Sequence, residues 1–337
     1  MSPRRPVTAL AMWPGIEAQL FTAASWEALD RVADVVDRRP LDLATAPADL
    51  LGSVEVLVGG WGCAPLDGAV LDRLPRLGLL AYAAGSVRST VTDALWARGV
   101  AVSSAAAANA VPVAEMTFAA VVMVAKDVFR LRDRYRAERG RSFVAGVGPA
   151  GDLGTRGLRV GVVGASRIGR LVLERLRTLD AEVAVSDPYL PAEEATSMGA
   201  TPMDLDDLCA WAEVVTLHAP ALDSTHHLLD ARRLARMRDG AWLVNTARGS
   251  LVDTAALEAE CGTGRLCAFI DTPDPEPLPP TSPLWDLPNV VLTPHIAGSE
   301  GREVARMGDL AVAEVARWAA GQPLDHPVVA ADMDRIA

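Results

Sequence analysis

The sequence has few of the residues that build disulfide or metal sites. Its 337 residues include five histidines and four cysteines. The cysteines are Cys63, Cys209, Cys261 and Cys267. They form no CxxC pair and no zinc-type spacing with histidine, which indicates reduced, mostly buried thiols in a cytoplasmic protein. His226 and His227 are adjacent, but no cluster of further ligands accompanies them, so we expect no metal site.

Lysine is nearly absent, because Lys126 is the sole lysine among 32 basic residues. The arginines are scattered along the chain, and the formal net charge is −11. A nucleic-acid-binding domain concentrates positive charge on one face or in one stretch, and the sequence contains no such concentration. We therefore expect no nucleic-acid partner.

Long hydrophobic runs are also lacking. The longest apolar stretch, residues 111–125, is interrupted by Pro112 and Glu115 and is shorter than the roughly 20 residues that span a bilayer. It predicts a buried helix, and we expect no membrane partner. Near the N-terminus, the apolar residues end at Trp13 and Pro14 without a small-residue cleavage site, which favours a first β-strand over a signal peptide.

Short β-branched runs alternate with helical patterns along most of the chain. Strands are predicted at Thr8–Met12, Val54–Val58, Leu77–Tyr82, Val100–Ser103, Arg159–Val163, Glu182–Ser186, Val214–Leu217, Ala241–Asn245, Leu266–Ile270 and Val290–Leu292. Helices are predicted at Pro112–Arg139, Arg167–Leu179, Ala231–Met237, Thr254–Glu260 and Ser299–Ala320, with a glycine-rich stretch at Gly146–Gly157. This alternation predicts an α/β fold of two Rossmann-like, doubly wound parallel-sheet domains with a cleft between them.

A glycine-containing turn follows the predicted strand at Arg159–Val163. In a dinucleotide-binding loop, glycines allow a tight turn and let backbone amides approach a pyrophosphate at the helix N-terminus. Gly164 fits the turn and Gly169 fits close helix–strand packing, while Ser166 occupies the middle position and offers a hydroxyl to a phosphate. Asp187 ends the next strand 18 residues after Gly169. A carboxylate there binds the ribose 2′-hydroxyl and repels a 2′-phosphate, which favours NAD over NADP.

Three further segments each follow a predicted strand of the same sheet and carry an arginine, a carboxylate and a histidine. Because ligands bind at the carboxyl ends of such strands, Arg248, Glu276 and His295 can share one site. Reduction of a 2-oxo acid places negative charge on the carbonyl oxygen. Arg248 offers forked donors to carboxylate and carbonyl oxygens. An imidazole with an ordinary pKa of about 6.5 is suited to act as general acid or base, and Glu276 favours its charged form.

These segments resemble the D-isomer-specific 2-hydroxyacid dehydrogenases over nearly the whole chain. The most specific stretches are NTARG (245–249), DTPDPEPLP (271–279) and SPLWDLPNVVLTPHIAG (282–298). The resemblance implies that Arg248, Glu276 and His295 are catalytic and that Asp271 contacts the nicotinamide. It also implies D-specific hydride transfer between NAD and C2 of a small 2-hydroxy or 2-oxo acid, and a homodimer.

The resemblance further implies a domain division and two sets of ligand-binding residues. A flavodoxin-like substrate-binding domain would comprise residues 1–105 and 299–337, and the NAD-binding domain residues 106–298. Cofactor contacts fall on Gly164, Ser166, Arg167, Ile168, Gly169, Asp187, His218, Pro220, Thr225, Thr246, Ala247, Asp271 and Gly298. Substrate contacts fall on Gly85, Ser86, Val87 and Asn109. The segment after Gly85 lacks the acidic residue often found there, so the substrate's identity stays open.

Other functions on the same fold remain open. A phosphite or formate dehydrogenase relative is one alternative, although formate enzymes carry glutamine where Glu276 stands. A second is an NADH-sensing binding module of the corepressor type; an intact set of arginine, glutamate and histidine is expected of an enzyme but does not rule this module out. A methyltransferase with a glycine-rich loop is a more distant alternative, because it would not need that set.

Overall fold

The protein is described here by a computed structural model that covers residues 5–139 and 153–333. Most of the glycine-rich stretch at 146–157, and both outer ends of the predicted first domain, lie outside the described residues. The chain divides into two compact units. The first is Met1–Ala110 with Ser299–Ala337, and the second is Val111–Gly298.

The strands follow the β-branched runs of the sequence. They are β1 Val7–Ala11, β2 Asp34–Val35, β3 Val56–Gly59, β4 Leu79–Tyr82, β5 Ala101–Ser104, β6 Arg159–Val163, β7 Glu182–Ser186, β8 Thr201–Pro202, β9 Val214–Leu217, β10 Trp242–Asn245, β11 Cys267–Ile270, β12 Val290–Leu292 and β13 Pro327–Val328. Every predicted strand is confirmed, with ends that agree within two residues. The two-residue strands β2, β8 and β13 were not predicted.

The helices connect successive strands. They are α1 Glu17–Leu20, α2 Ala23–Val32, α3 Ala48–Leu51, α4 Gly68–Arg73, α5 Asp93–Ala97, α6 Ala106–Ala125, α7 Val128–Ala137, α8 Arg167–Leu176, α9 Ala192–Ser197, α10 Leu205–Trp211, α11 Ala231–Arg236, α12 Thr254–Gly262 and α13 Val304–Ala319. Several begin at a side-chain cap, such as Thr22 before α2 and Asp253 before α12, which satisfies amide groups that the first helical turn leaves free.

The sheet of the first unit has the strand order β13-β5-β4-β3-β1-β2. Strands β1 to β5 are mutually parallel, and β13 pairs with β5 in the antiparallel direction. The parallel part has the flavodoxin-type order, in which the direction of winding reverses between β1 and β3. Ligands of such sheets bind outside the carboxyl ends of the strands, at the point of reversal.

The sheet of the second unit is parallel throughout, with the order β12-β11-β10-β9-β6-β7-β8. This is the Rossmann order, and winding reverses between β6 and β9. Along β10, Leu243 packs on one face of the sheet, whereas Trp242 and Val244 pack on the other. All three are buried, because helices cover both faces of a parallel sheet. The predicted doubly wound fold is thus confirmed for each unit.

The predicted long helix at Pro112–Arg139 is wrong in both its start and its continuity. Helix α6 begins at Ala106 and contains Pro112, and Asp127 interrupts the helix with a φ of 51° before α7 begins. With 20 residues and a mean hydropathy of 1.6 in its most apolar window, α6 is long and apolar enough to cross a membrane, so the length argument fails. Half of that window is buried inside the protein, as predicted for a core helix.

Candidate active site

The dinucleotide loop of the second unit is shaped by two glycines. Gly164 follows β6 with a φ of +94°, and a Cβ there would lie 2.6 Å from the Ala219 amide nitrogen. A Cβ on Gly169 would lie 2.1 Å from the carbonyl oxygen of Gly164. The loop therefore packs against the segment after β9 and against its own helix more closely than any side chain would allow. The sequence predicted the turn at Gly164 and the close packing at Gly169, but not the approach of Gly164 to the segment after β9.

Ser166 fits the middle position of this loop without backbone strain. It is the N-cap of α8, with a φ of −60° that any L-residue adopts, and its Oγ accepts a hydrogen bond from Gly169 N at 3.4 Å. Helix α8 contains ten residues, so its N-terminus presents free amides and a positive dipole end. Arg167 is exposed and Ile168 half-buried in its first turn. Together these groups form a cradle of the kind that holds a dinucleotide pyrophosphate.

Asp187 lies directly beside the same loop. One of its carboxylate oxygens accepts a hydrogen bond from Ala165 N at 2.6 Å, and the other accepts one from Tyr189 N at 2.8 Å. Asp187 is half-buried, while Tyr189 is 82% exposed. The carboxylate predicted to bind a ribose is therefore held in a fixed position next to the glycine turn.

The segment after β9 packs under the glycine loop. His218 is buried, its Nε2 lies 3.0 Å from Thr216 Oγ1, and its Nδ1 has no partner among the described residues. Burial lowers its pKa to about 3, so the ring is neutral at physiological pH. The Thr225 hydroxyl donates to the carbonyl oxygen of Pro220 at 2.6 Å and accepts from Leu222 N at 2.9 Å, which locks the turn between them.

Arg248 sits on a tightly braced turn after β10. Asn245 Nδ2 donates to the carbonyl oxygen of Arg248 at 2.9 Å, and Ala247 N donates to Asn245 Oδ1 at 3.1 Å. The Thr246 hydroxyl pairs with that of Thr117 on α6 at 2.7 Å. Burial lowers the pKa of the Arg248 guanidinium, an effect that the negative charge of Glu276 opposes. The side chain is thus a partly desolvated cation close to a carboxylate.

Gly249 joins this turn to the proline-rich loop after β11. A Cβ at this position would lie 2.1 Å from the carbonyl oxygen of Pro273 and 2.6 Å from Asp274 N. This contact was not predicted. The glycine directly after Arg248 is the one feature of the sequence that could have indicated it. The peptide bonds Asp274–Pro275 and Glu276–Pro277 in the same loop are cis.

His295 and Glu276 form a direct pair. His295 Nδ1 donates to Glu276 Oε1 at 2.7 Å, since an ionised carboxylate only accepts. Both side chains are 46% exposed, so the pair is partly open to solvent, and Nε2 is the ring nitrogen that this bond leaves unused. The structure therefore brings Glu276 to His295 and also within electrostatic reach of Arg248.

Asp271 braces the turn that carries His295. Its fully buried carboxylate accepts hydrogen bonds from Thr293 Oγ1 at 2.5 Å, Ile296 N at 2.9 Å and Ala297 N at 2.9 Å. His295 itself has a φ of 55°, the left-handed region that a non-glycine residue rarely adopts. Asp271, predicted to contact nicotinamide, thus uses its carboxylate to hold the histidine turn, and the sequence analysis missed this role.

The predicted substrate residues lie in the first unit. Gly85, Ser86 and Val87 follow β4, and Val87 is buried. A Cβ on Gly85 would lie 3.4 Å from Asn109 Nδ2, and the Oδ1 of the same asparagine accepts a hydrogen bond from Ser299 N at 2.8 Å. Gly85 and Asn109 are therefore neighbours. Gly298, the last predicted cofactor residue, ends the second unit.

Two adjacent histidines and the four cysteines lie outside this site. The rings of His226 and His227 stack at 3.9 Å, and no group of three or more potential metal ligands occurs in residues 5–139 and 153–333. All four cysteines are buried and free, as predicted. Burial raises the pKa of Cys63 and Cys261 to about 12, so these thiols stay protonated.

Known proteins match both the sequence and the fold. The family model "D-isomer specific 2-hydroxyacid dehydrogenase, NAD binding domain" matches residues 118–297. A glyoxylate reductase of Korarchaeum cryptofilum is 31% identical over 262 residues, which are 77% of this chain and 78% of that protein. A D-3-phosphoglycerate dehydrogenase of Mycobacterium leprae is 34% identical over 294 residues, 86% of this chain but 53% of that protein.

The chain spans about half the length of the curated phosphoglycerate dehydrogenases that it matches. Among solved structures, the TT0316 protein of Thermus thermophilus has a TM-score of 0.71 and 31% identity. The match covers 96% of this chain and all of that one. The glycine loop, with no room for a Cβ at Gly164 or Gly169, fits the NAD that such a domain binds.

Proposed function

The chain belongs to the D-isomer-specific 2-hydroxyacid dehydrogenase family, and we propose that it transfers a hydride between NAD and C2 of a small 2-hydroxy or 2-oxo acid. The product of reduction is the D-isomer. In this proposal the first unit binds the substrate through residues 85–87 and Asn109, and the second unit binds NAD through the loop at 164–169 and Asp187.

The observation that carries the proposal is the pair of His295 and Glu276 beside Arg248. The three residues come from separate loops, and each loop follows a strand of the same parallel sheet. The 2.7 Å hydrogen bond between His295 and Glu276 is the arrangement that a proton-transferring imidazole requires. The lowered pKa of Arg248 reflects a guanidinium held out of bulk water, where its attraction for a substrate anion is stronger.

The proton chemistry follows from which atoms are already bonded. Because Nδ1 of His295 donates to Glu276, Nε2 is the atom that gives a proton to the carbonyl oxygen in reduction and removes one from the hydroxyl in oxidation. Glu276 holds the orientation of the ring through this hydrogen bond. Arg248 binds the substrate carboxylate and polarises the carbonyl with its forked donors. Bound NAD supplies the hydride donor or acceptor.

The test compares NADH oxidation with pyruvate, glyoxylate and hydroxypyruvate in the wild type and in His295→Asn, Glu276→Gln and Arg248→Ala. We expect His295→Asn and Arg248→Ala to lower kcat/KM by about 10²–10⁴-fold. The Kd for NADH, measured by fluorescence titration, should stay within about threefold. Turnover that persists in both of these variants would contradict the site assignment.

The turnover assays and the NADH titration together also separate the alternatives. NADH binding without turnover on any 2-oxo acid would favour a sensing module, and NAD reduction with phosphite would favour a phosphite dehydrogenase. We also propose a cytoplasmic homodimer on the basis of the family resemblance. Light scattering should then give about twice the 35.5 kDa chain mass.

A further inference from the structure

We propose that Trp13 forms the wall against which the substrate's side chain binds, and that the preferred substrates are 2-oxo acids with a bulky apolar or aromatic side chain. The inference rests on the proposed function, because it assumes that the first unit binds the substrate. It concerns the part of the substrate beyond C2, which the arginine, glutamate and histidine do not select.

Trp13 lies at the point of the first sheet where a ligand is expected. It follows β1 by one residue, and the segment 60–62 follows β3. Winding of this sheet reverses between β1 and β3, and ligands of such sheets bind at the carboxyl ends of the strands flanking the reversal. The predicted carboxylate-binding residues at 85–87 follow β4, the strand next to β3. All three segments therefore lie at the carboxyl end of the strands of one sheet.

The indole of Trp13 is fixed on one face and open on the other. Trp13 N donates to the carbonyl oxygen of Trp61 at 2.7 Å, which extends the β1–β3 ladder beyond the strands. A Cβ on Gly62 would lie 2.1–2.5 Å from the indole ring atoms, so the ring rests directly on the Gly62 backbone. Nevertheless 62% of Trp13 is exposed. An aromatic surface held in place at a ligand-binding edge is suited to stack with an apolar group.

The charge at these strand ends disfavours a phosphorylated side chain. The segments 12–16, 60–64 and 83–87 contain no lysine or arginine. The nearest cation in sequence, Arg88, donates to the carbonyl oxygen of Met333. A phosphate group would require positive charge or several directed donors. These segments therefore lack the positive charge that a phosphorylated hydroxy acid needs, although several relatives are named D-3-phosphoglycerate dehydrogenase.

The position of the indole suits a substrate that has a side chain. Because the ring rests on the segment after β3, it lies about one strand spacing, roughly 5 Å, from the strand that leads into residues 85–87. Glyoxylate has no side chain to place against the ring. An acid with an isobutyl or phenyl group extends far enough to bury that group against the indole.

The test measures kcat and KM for NADH-dependent reduction of glyoxylate, pyruvate, 4-methyl-2-oxopentanoate, phenylpyruvate and 3-phosphohydroxypyruvate. We expect phenylpyruvate or 4-methyl-2-oxopentanoate to have the highest kcat/KM in the wild type. Trp13→Ala should lower kcat/KM for phenylpyruvate about 10- to 100-fold more than for glyoxylate, mainly through KM. Trp13→Phe should restore most of the loss.

Val329→Ala is the matched control. Val329 is 48% exposed and follows β13. Because β13 is antiparallel to β5, Val329 lies at the amino end of the parallel strands, opposite to Trp13. This variant should leave all five kcat/KM values unchanged, and thermal melting of each variant checks its folding. A wild-type preference for glyoxylate or 3-phosphohydroxypyruvate would overturn the inference, as would equal losses for all acids in Trp13→Ala, while the proposed function would stand. Absence of turnover with every acid would contradict the proposed function itself.

Discussion

At the scale of single residues, the site depends on places where a side chain is missing. Gly164, Gly169 and Gly249 each bring two backbone segments closer than a Cβ permits. The first two shape the dinucleotide loop, and the third fixes the Arg248 turn against the loop that carries Glu276. The relative position of the guanidinium and the carboxylate therefore depends on a hydrogen atom at Gly249.

Gly249→Ala tests this dependence. The added methyl would lie 2.1 Å from the Pro273 carbonyl oxygen, so the two loops must separate. We expect kcat to fall at least about tenfold and the stability to fall by about 1–3 kcal/mol, as for other overpacked sites. Gly262→Ala is the control, because a Cβ at the end of α12 meets no atom within 4 Å. An unchanged kcat in Gly249→Ala would show that the loops can rearrange without cost to the site.

His218 makes the stability of the protein sensitive to mild acid. Its pKa in the folded state is about 3, against an ordinary value of 6.5, because burial disfavours the charged ring. Below pH 6.5 the unfolded chain therefore takes up a proton that the folded chain does not. The free energy of unfolding therefore decreases progressively as the pH falls from 6.5 toward 3. Between pH 6.5 and pH 5 the decrease is about 2 kcal/mol.

The measurement is calorimetric melting of the wild type and His218→Gln at pH 7 and pH 5. The melting temperature of the wild type should fall more between the two pH values than that of the variant. The difference between the two pH shifts, not the absolute temperatures, isolates the titration of His218. Equal shifts in both proteins would mean that the ring takes up its proton in the folded state at pH 5.

At the scale of elements, the turn after β12 is held by a carboxylate on the neighbouring strand. Asp271 follows β11 directly and collects one hydroxyl and two amide donors from the segment 293–297. These bonds support the left-handed conformation of His295. The backbone conformation of His295 is thus supported by Asp271, whose side chain bonds the residues on either side of it.

Asp271→Asn should disturb both stability and turnover. The amide nitrogen of asparagine cannot accept from Ala297 N, which leaves a buried donor without a partner at a cost of about 1–3 kcal/mol. We expect kcat to fall as the His295 turn shifts, with the melting temperature lowered by several degrees. Thr293→Val removes only the hydroxyl donor and should have the smaller effect on both. A fall in NADH affinity with unchanged kcat would instead indicate that Asp271 acts on the cofactor.

Elements were predictable from the sequence where a local pattern determines them. Strands β6, β7, β9 and β12 have the predicted bounds because β-branched runs end at clear turn residues. The two-residue edge strands β2, β8 and β13 carry too few residues to form a pattern and exist only through pairing. The start of α6 was misplaced because Pro112 is typical of a first helical turn. The break at Asp127 was missed because it results from a left-handed backbone conformation that no local sequence pattern indicates.

The sequence allowed the grouping of the candidate residues to be predicted, but not the contacts that support them. Arg248, Glu276 and His295 were identifiable because their chemical types follow strands of one sheet. The brace by Asp271 and the pairing of Thr117 with Thr246 join residues far apart in sequence, and no local pattern encodes such contacts. The exposed stacking of Trp13 on Gly62 likewise emerges only when β1 and β3 are side by side.

At the scale of the whole molecule, the chain contains two parallel sheets, each with its own reversal point. The second sheet carries the glycine loop, the arginine, the glutamate and the histidine at its strand ends. The first sheet carries residues 85–87 and Trp13. We propose that the second unit binds the cofactor and that the first unit selects the substrate.

The most direct measurement is the reduction of phenylpyruvate or pyruvate with NADH that carries deuterium at both C4 positions of the dihydronicotinamide. The account predicts a 2-hydroxy acid of D-configuration with deuterium at C2, formed by the wild type and lost in His295→Asn, which should still bind NADH. Mass spectrometry and chiral chromatography measure both properties. NADH binding without transfer of deuterium to any 2-oxo acid, or an L-product, would contradict it.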